Sequence, residues 1–241
     1  MRALVLKEVR GFIGSLIGLI VVSVFLLLTG LFLWVFPDNL LDLGYADLTP
    51  LFYIAPWVFL FLVPAVTMRS FSEERRTGTL ELLLTKPLTE LQVVLAKYGA
   101  AVALVLLALV PTIIYVASLS ELAVPKGNID TGATWGSYLG LLFLGSCFAA
   151  IGLFASSLTD SQIVAFLIAV FLCFITFLGF DLIASFDLLG ALEGPIKAIG
   201  IQAHYQSISR GVVDLRDVLY FAGVIAIFLL LTRAALLSRK W

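Results

Sequence analysis

The sequence predicts an all-α, polytopic membrane protein, and three observations carry that reading. The chain of 241 residues is 61% hydrophobic and 13% charged, with a mean hydropathy of +1.11. A soluble domain is nearer half apolar and a quarter charged. Its apolar residues fall into six runs, each near the roughly 20 helical residues that span a bilayer core. Its basic residues gather beside alternate ends of those runs, the asymmetry that orients membrane helices.

The first run, 11–36, follows Arg2, Lys7 and Arg10. It is too long for a secretory signal and ends at Pro37-Asp38 without a small-residue cleavage site, so it is expected to stay as a span. Runs at 51–68, 98–119, 135–158, 161–182 and 218–237 supply five more within a single membrane domain, 1–241. Pro56, Pro64 and Pro111 fall inside spans, which membrane helices tolerate because neighbours satisfy the freed backbone. Arg233 can snorkel from the last turns of the sixth. The turn "SSLTDSQ", 156–162, makes the fourth and fifth spans a tight antiparallel pair, with Asp160 or Ser161 capping the fifth. The segment 184–217 mixes Leu and Ile with isolated charges and is too long for a turn. It is expected as short amphipathic or re-entrant helices at the outer interface. No sizeable soluble domain is expected.

Eleven of the fifteen basic residues lie at the N-terminus, between positions 69 and 97, or at the C-terminus. With six spans these all fall on one side. The loop "PDNLLDLGYADLTP" on the other side has three Asp and no base. Both termini and the 69–97 block are therefore expected in the cytoplasm. Cys147 and Cys173 sit within apolar runs and read as small core residues. One histidine, His204, excludes a multi-histidine metal centre.

The 69–97 block, "RSFSEERRTGTLELLLTKPLTELQVVLAK", is the longest charge-bearing stretch. Ser70 and Glu73 have capping-box spacing, so a helical turn is expected to start near Phe71. Gly78-Thr79 interrupts it, "TLELLL" forms a second short helix, and Pro87 stops that one. Thr89 and Gln92 form another capping box that opens the third span. The second piece presents Leu80, Leu83 and Leu84 with Glu81 as its only charge. A helix so short is marginal alone, so it leans either on the membrane face of its own protein or on a partner.

"SEERRTGTLELLLTKPLT" resembles the signature of type-2 ATP-binding-cassette (ABC-2) permeases. "LKEVRGFIGS" is similar to that family's N-terminal amphipathic helix, "GLFASSLTDSQIVAF" to its fourth-to-fifth span connection, and "HYQSISRGVVDLRDVLYF" to its approach to the last span. Within that family, the length and the last of these motifs resemble those of the subgroup that contains the gliding-motility-associated permease GldF. The resemblance implies a six-span half-transporter of a bacterial inner membrane, paired with an identical or homologous second permease and bound by two cytosolic ABC ATPases. It implies a cytoplasmic coupling helix docked on the ATPase, formed by Gly78, Thr79, Leu80, Glu81, Leu82 and Leu83. Glu73, Glu74, Arg75 and Arg76 are its flanking contacts, with Lys7 and Glu8 as secondary ones. Gly78 would permit close backbone approach. ATP and Mg belong to the ATPase; this chain has no GxxxxGK[ST] phosphate loop and is expected to hold no cofactor or metal. Membrane lipid is an expected partner and nucleic acid is not. The function implied is export, or conformational work, driven by the partner's ATP hydrolysis. The alternative is a transmitting or anchoring subunit that acts on a membrane or periplasmic partner without moving a substrate.

Other classes fit less well. "EERR" is similar to part of the intramembrane prenyl-peptidase motif, but the arginine that motif needs four residues after its second Glu is replaced by Gly78, and no acid–base constellation accompanies it. A channel needs polar lining, and five of the six spans lack an ionisable group at their centre. His204, Tyr205 and the four tryptophans read as interfacial anchors. Gly211, Asp214 and Asp217 read as the turn and capping charges that start the last span. Gly14 and Gly18 have GxxxG spacing, a weak signal for close helix contact.

Overall fold

The computed structural model describes residues 2–37, 39–44, 46–79, 89–185, 190 and 193–238. The first apolar run is broken near its start. Helix α1, Arg2–Ile13, ends before Ser15, whose Oγ accepts from the Gly18 amide and opens α2, Leu16–Trp34. Gly14 and Gly18 straddle this break: a Cβ on Gly18 would lie 2.0 Å from the Phe12 carbonyl oxygen. Their spacing therefore serves the turn between α1 and α2. A short helix α3, Leu40–Leu43, capped by Asn39, precedes α4, Thr49–Thr67.

Helix α5, Arg69–Arg76, follows α4 after Met68 alone, so the Ser70–Glu73 capping box does not form; Ser70 lies inside the helix. The second capping box does form. Thr89 and Gln92 bond reciprocally and start α6, Glu90–Leu109. Pro111 lacks an amide to donate, and the chain tightens into a 3₁₀ turn there before α7, Ile113–Leu122. Asp130 caps α8, Thr131–Leu158, and Ser161 caps α9, Gln162–Phe174. A π-helical turn, Ile175–Gly179, leads to α10, Phe180–Ala184. The segment before the last span holds α11, Glu193–Lys197, and α12, Ile201–Ser209; α13, Leu215–Leu237, closes the described chain.

No strand occurs among the described residues. Five helical stretches are long and apolar enough to cross a membrane: Thr49–Arg76, Glu90–Leu122, Thr131–Leu158, Gln162–Ala184 and Leu215–Leu237. Helix α2 is the shorter apolar one, about 28 Å at 1.5 Å per residue.

Helix α8 is the axis of the bundle, in contact with α4, α6, α9, α12 and α13. Small residues make that possible, since backbones approach only where side chains are missing. A Cβ on Gly152 would sit 1.9 Å from Thr67 Oγ1 of α4, and one on Gly145 2.6 Å from Val105 Cγ1 of α6. Phe25, Phe59, Leu141, Leu144 and Phe148 fill the core around it. Helices α9 and α13 are far less enclosed than α8, as suits surfaces turned to lipid or to another subunit.

At the bundle end opposite α5, α12 is pinned from two sides. Tyr205 donates its hydroxyl to the Phe52 carbonyl of α4, and burial pushes that phenol's pKa upward. His204 is buried: its Nδ1 lies 2.6 Å from Asp217 Oδ1 and its Nε2 3.0 Å from the Ala198 carbonyl, while its ring stacks on Tyr220. These residues are therefore interior fasteners where the sequence predicted interfacial anchors. The helix cap falls to Asp214, which accepts from the Arg216 amide, and Asp217 turns inward to His204.

Candidate functional site

The candidate site is the charged end of the bundle, where α1, α5, the start of α6 and the α8–α9 turn converge. Its foundation is Ser156, fully buried at the end of α8. The Ser156 hydroxyl accepts from the Phe71 and Ser72 amides at 3.0 and 3.1 Å and donates to the Met68 carbonyl at 2.9 Å. Met68 is the joint between α4 and α5. One side chain from α8 thus satisfies the backbone groups freed there, and the direction of α5 is set by α8 as well as by α4.

The charges on α5 divide between its two faces. Glu74 and Arg75 point into the protein. Lys97 of α6 is 1% exposed and donates to Glu74 Oε1 at 2.7 Å, with Glu8 Oε1 of α1 at 3.5 Å and the Phe71 ring 5.2 Å away. A buried ammonium of this kind is tolerable only when paired, and two carboxylates from different helices share it. Glu74 Oε2 is buried with no hydrogen-bond partner among the described residues. The Arg75 side chain is 4% exposed and lies 3.7 Å from Asp160 in the α8–α9 turn. On the other face Glu73 pairs with Arg69 at 3.8 Å, Arg69 Nε donates to Gln162 Oε1, and Arg76 is exposed. Between α1, α5 and α6 lies an open cavity of about 240 Å³, lined by Lys7, Glu8, Arg69, Glu73, Glu74 and Lys97.

Helix α5 ends where Thr77 bonds back to the Glu73 carbonyl, and Gly78 turns the chain at φ +69°, a left-handed conformation that glycine adopts without strain. Thr79 is exposed beside Thr77. Leu80, Glu81, Leu82 and Leu83 lie outside the described residues. Of the two secondary positions, Lys7 is exposed and Glu8 belongs to the Lys97 cluster.

Sequence reasoning missed the residues that fasten the block: Lys97, Ser156, Asp160 and Gln162. Lys97 counted only toward orientation. Its one local signal was an ammonium seven residues into a helix whose other residues are almost all apolar, a position that demands a partner.

An all-helical bundle with several membrane-length helices, ending in a charged block on one side, defines a multi-pass membrane component. The model of the ABC-2 family transporter protein matches residues 36–201, more than half of the chain, and the chain belongs to that family. It is thus a membrane permease component of an ABC transporter, and membership implies association with an ABC ATPase. No curated protein matches the chain.

Proposed function

We propose that the block at positions 73–83 is the docking element through which a cytosolic ABC ATPase drives this permease. The termini and the block lie on the cytoplasmic side, and α2 crosses as a sixth span. Gly78, Thr79, Leu80, Glu81, Leu82 and Leu83 form the coupling segment, and outward-facing Glu73 and Arg76 flank it. Glu74, Arg75 and Glu8 transmit what the ATPase does. ATP and Mg sit in two ATPase copies, and a second permease completes the transporter. The observation that supports this most is the fastening of α5 to α1, α6, α8 and α9 through Lys97, Ser156, Arg75 and Arg69. A force on the docked segment therefore reaches four helices together. Work on a membrane or periplasmic partner, of the gliding-motility kind, would use the same lever without a substrate.

The test is co-purification of the tagged permease from mild-detergent membranes, beside a Glu81→Arg, Arg76→Glu variant. Retention of an ABC ATPase by the parent and its loss by a folded variant is the expected result. An ATPase held equally by both removes the block from the coupling path.

A further inference from the structure

A second open cleft, of about 290 Å³, lies at the far end of the bundle, between the start of α4, the π-helical turn and α12. Its rim is aromatic, formed by Tyr53, 72% exposed, and Trp57, while Phe177 is buried behind them. Its polar lining is of two kinds. Tyr205, Ser137 and Ser209 are committed, each hydroxyl donating to a backbone carbonyl of the protein. Gln202, Gln206 and Arg210 are not tied down in this way. Gln202 Oε1 is buried and has no hydrogen-bond partner among the described residues. Arg210 is exposed, its guanidinium held by a 3.4 Å bond to Ser207 Oγ. No carboxylate lines the cleft among the described residues; the nearest along the chain, Asp47, accepts from the Thr49 amide and hydroxyl.

From this lining we infer a binding site for the headgroup of an anionic, hydroxyl-bearing phospholipid. Each part of the cleft answers one part of such a molecule. Arg210, with no acid beside it, attracts and bonds a phosphate. The orphaned Gln202 carbonyl is closed off from water as the cleft stands, and leaving it unmade is costly; turned outward into the cleft that its half-buried side chain lines, it selects a ligand that brings a donor. Tyr53 and Trp57 offer amphipathic faces of the type that settle at the level of lipid headgroups. The volume holds a headgroup and its glycerol backbone, too small for a whole lipid, so the acyl chains run out past the aromatic rim along α4. The site is independent of the coupling block, which is at the other end of the bundle.

The probes are dioleoyl-phosphatidylglycerol, which has an anionic phosphate and hydroxyl donors, and dioleoyl-phosphatidylmethanol, which has the same anionic phosphate without a donor. Native mass spectrometry of the detergent-purified full chain, titrated with each, should show one retained phosphatidylglycerol per chain. Its affinity should exceed that for phosphatidylmethanol by about fivefold, equivalent to about 1 kcal/mol. Arg210→Gln, at an exposed position, should weaken both lipids. Gln202→Leu should bring the two lipids to equal affinity, with monodisperse elution showing that the variant is folded. Equal affinities in the parent, or retention unchanged in both variants, would mean annular lipid only and would overturn the assignment. Competition by soluble glycerol 3-phosphate as strong as by the lipid would overturn the lipid class in favour of a free phosphate ester.

Discussion

The buried Lys97 cluster supports a quantitative prediction. At an effective dielectric of about 20, unit charges attract by about 6 kcal/mol at the 2.7 Å separating Lys97 from Glu74. At the 3.5 Å to Glu8 the figure is about 5 kcal/mol. Most of this offsets the desolvation of three charged groups, so the cluster adds little compared with an apolar core. Breaking it from one side is different, because the carboxylates stay behind without their cation. Lys97→Met keeps the volume, removes the charge, and should destabilise by about 3–5 kcal/mol. For a chain of this length that lowers the unfolding midpoint by roughly 6–20 °C, measurable by heating the detergent-solubilised protein and following its monodisperse fraction. The partner of Lys97 can then be identified. Glu74→Gln in the Lys97→Met background should recover roughly 2 kcal/mol, since no buried carboxylate then faces an empty position at α5. A midpoint within about 2 °C of the parent for Lys97→Met, or strictly additive losses in the pair, would refute the idea that this cluster fastens α1 and α5 to α6.

Two further outcomes follow from the packing. Ser156→Ala leaves the Phe71 and Ser72 amides without their acceptor, at a cost of about 1–3 kcal/mol; amide exchange at those two positions should quicken selectively, and uniform protection would count against the role given to this hydroxyl. Gly152→Ala places a methyl 1.9 Å from Thr67 Oγ1 and should lose about 1–3 kcal/mol through forced separation of α4 and α8. Thr67→Ala should restore part of that loss, and no restoration would point to a different contact.

Much of the architecture is legible along the chain because its causes are local. Run length and hydropathy mark the spans, and Thr89 with Gln92 opens α6 as its spacing predicts. Ser161 and Asp214 cap as short-range chemistry allows. Where local rules competed with packing, packing won: Ser70 has the spacing of a cap but is carried inside α5 because α8 supplies Ser156 at the joint.

By itself the sequence determined that this protein is a helical membrane bundle, where its charges cluster, and which family's motifs it bears. Hydropathy and helix length need only the bilayer's thickness to become structure. The tertiary structure alone decided how those charges are used. Within one run of four charged residues, Glu74 and Arg75 turn inward to Lys97 and Asp160, while Arg76 faces out. It likewise decided that His204 meets Asp217 and that α8 is the axis. Such pairings join residues on different elements of the fold. They depend on how close two backbones come, which is set by glycines meeting side chains on other helices, and no periodicity along one helix encodes that.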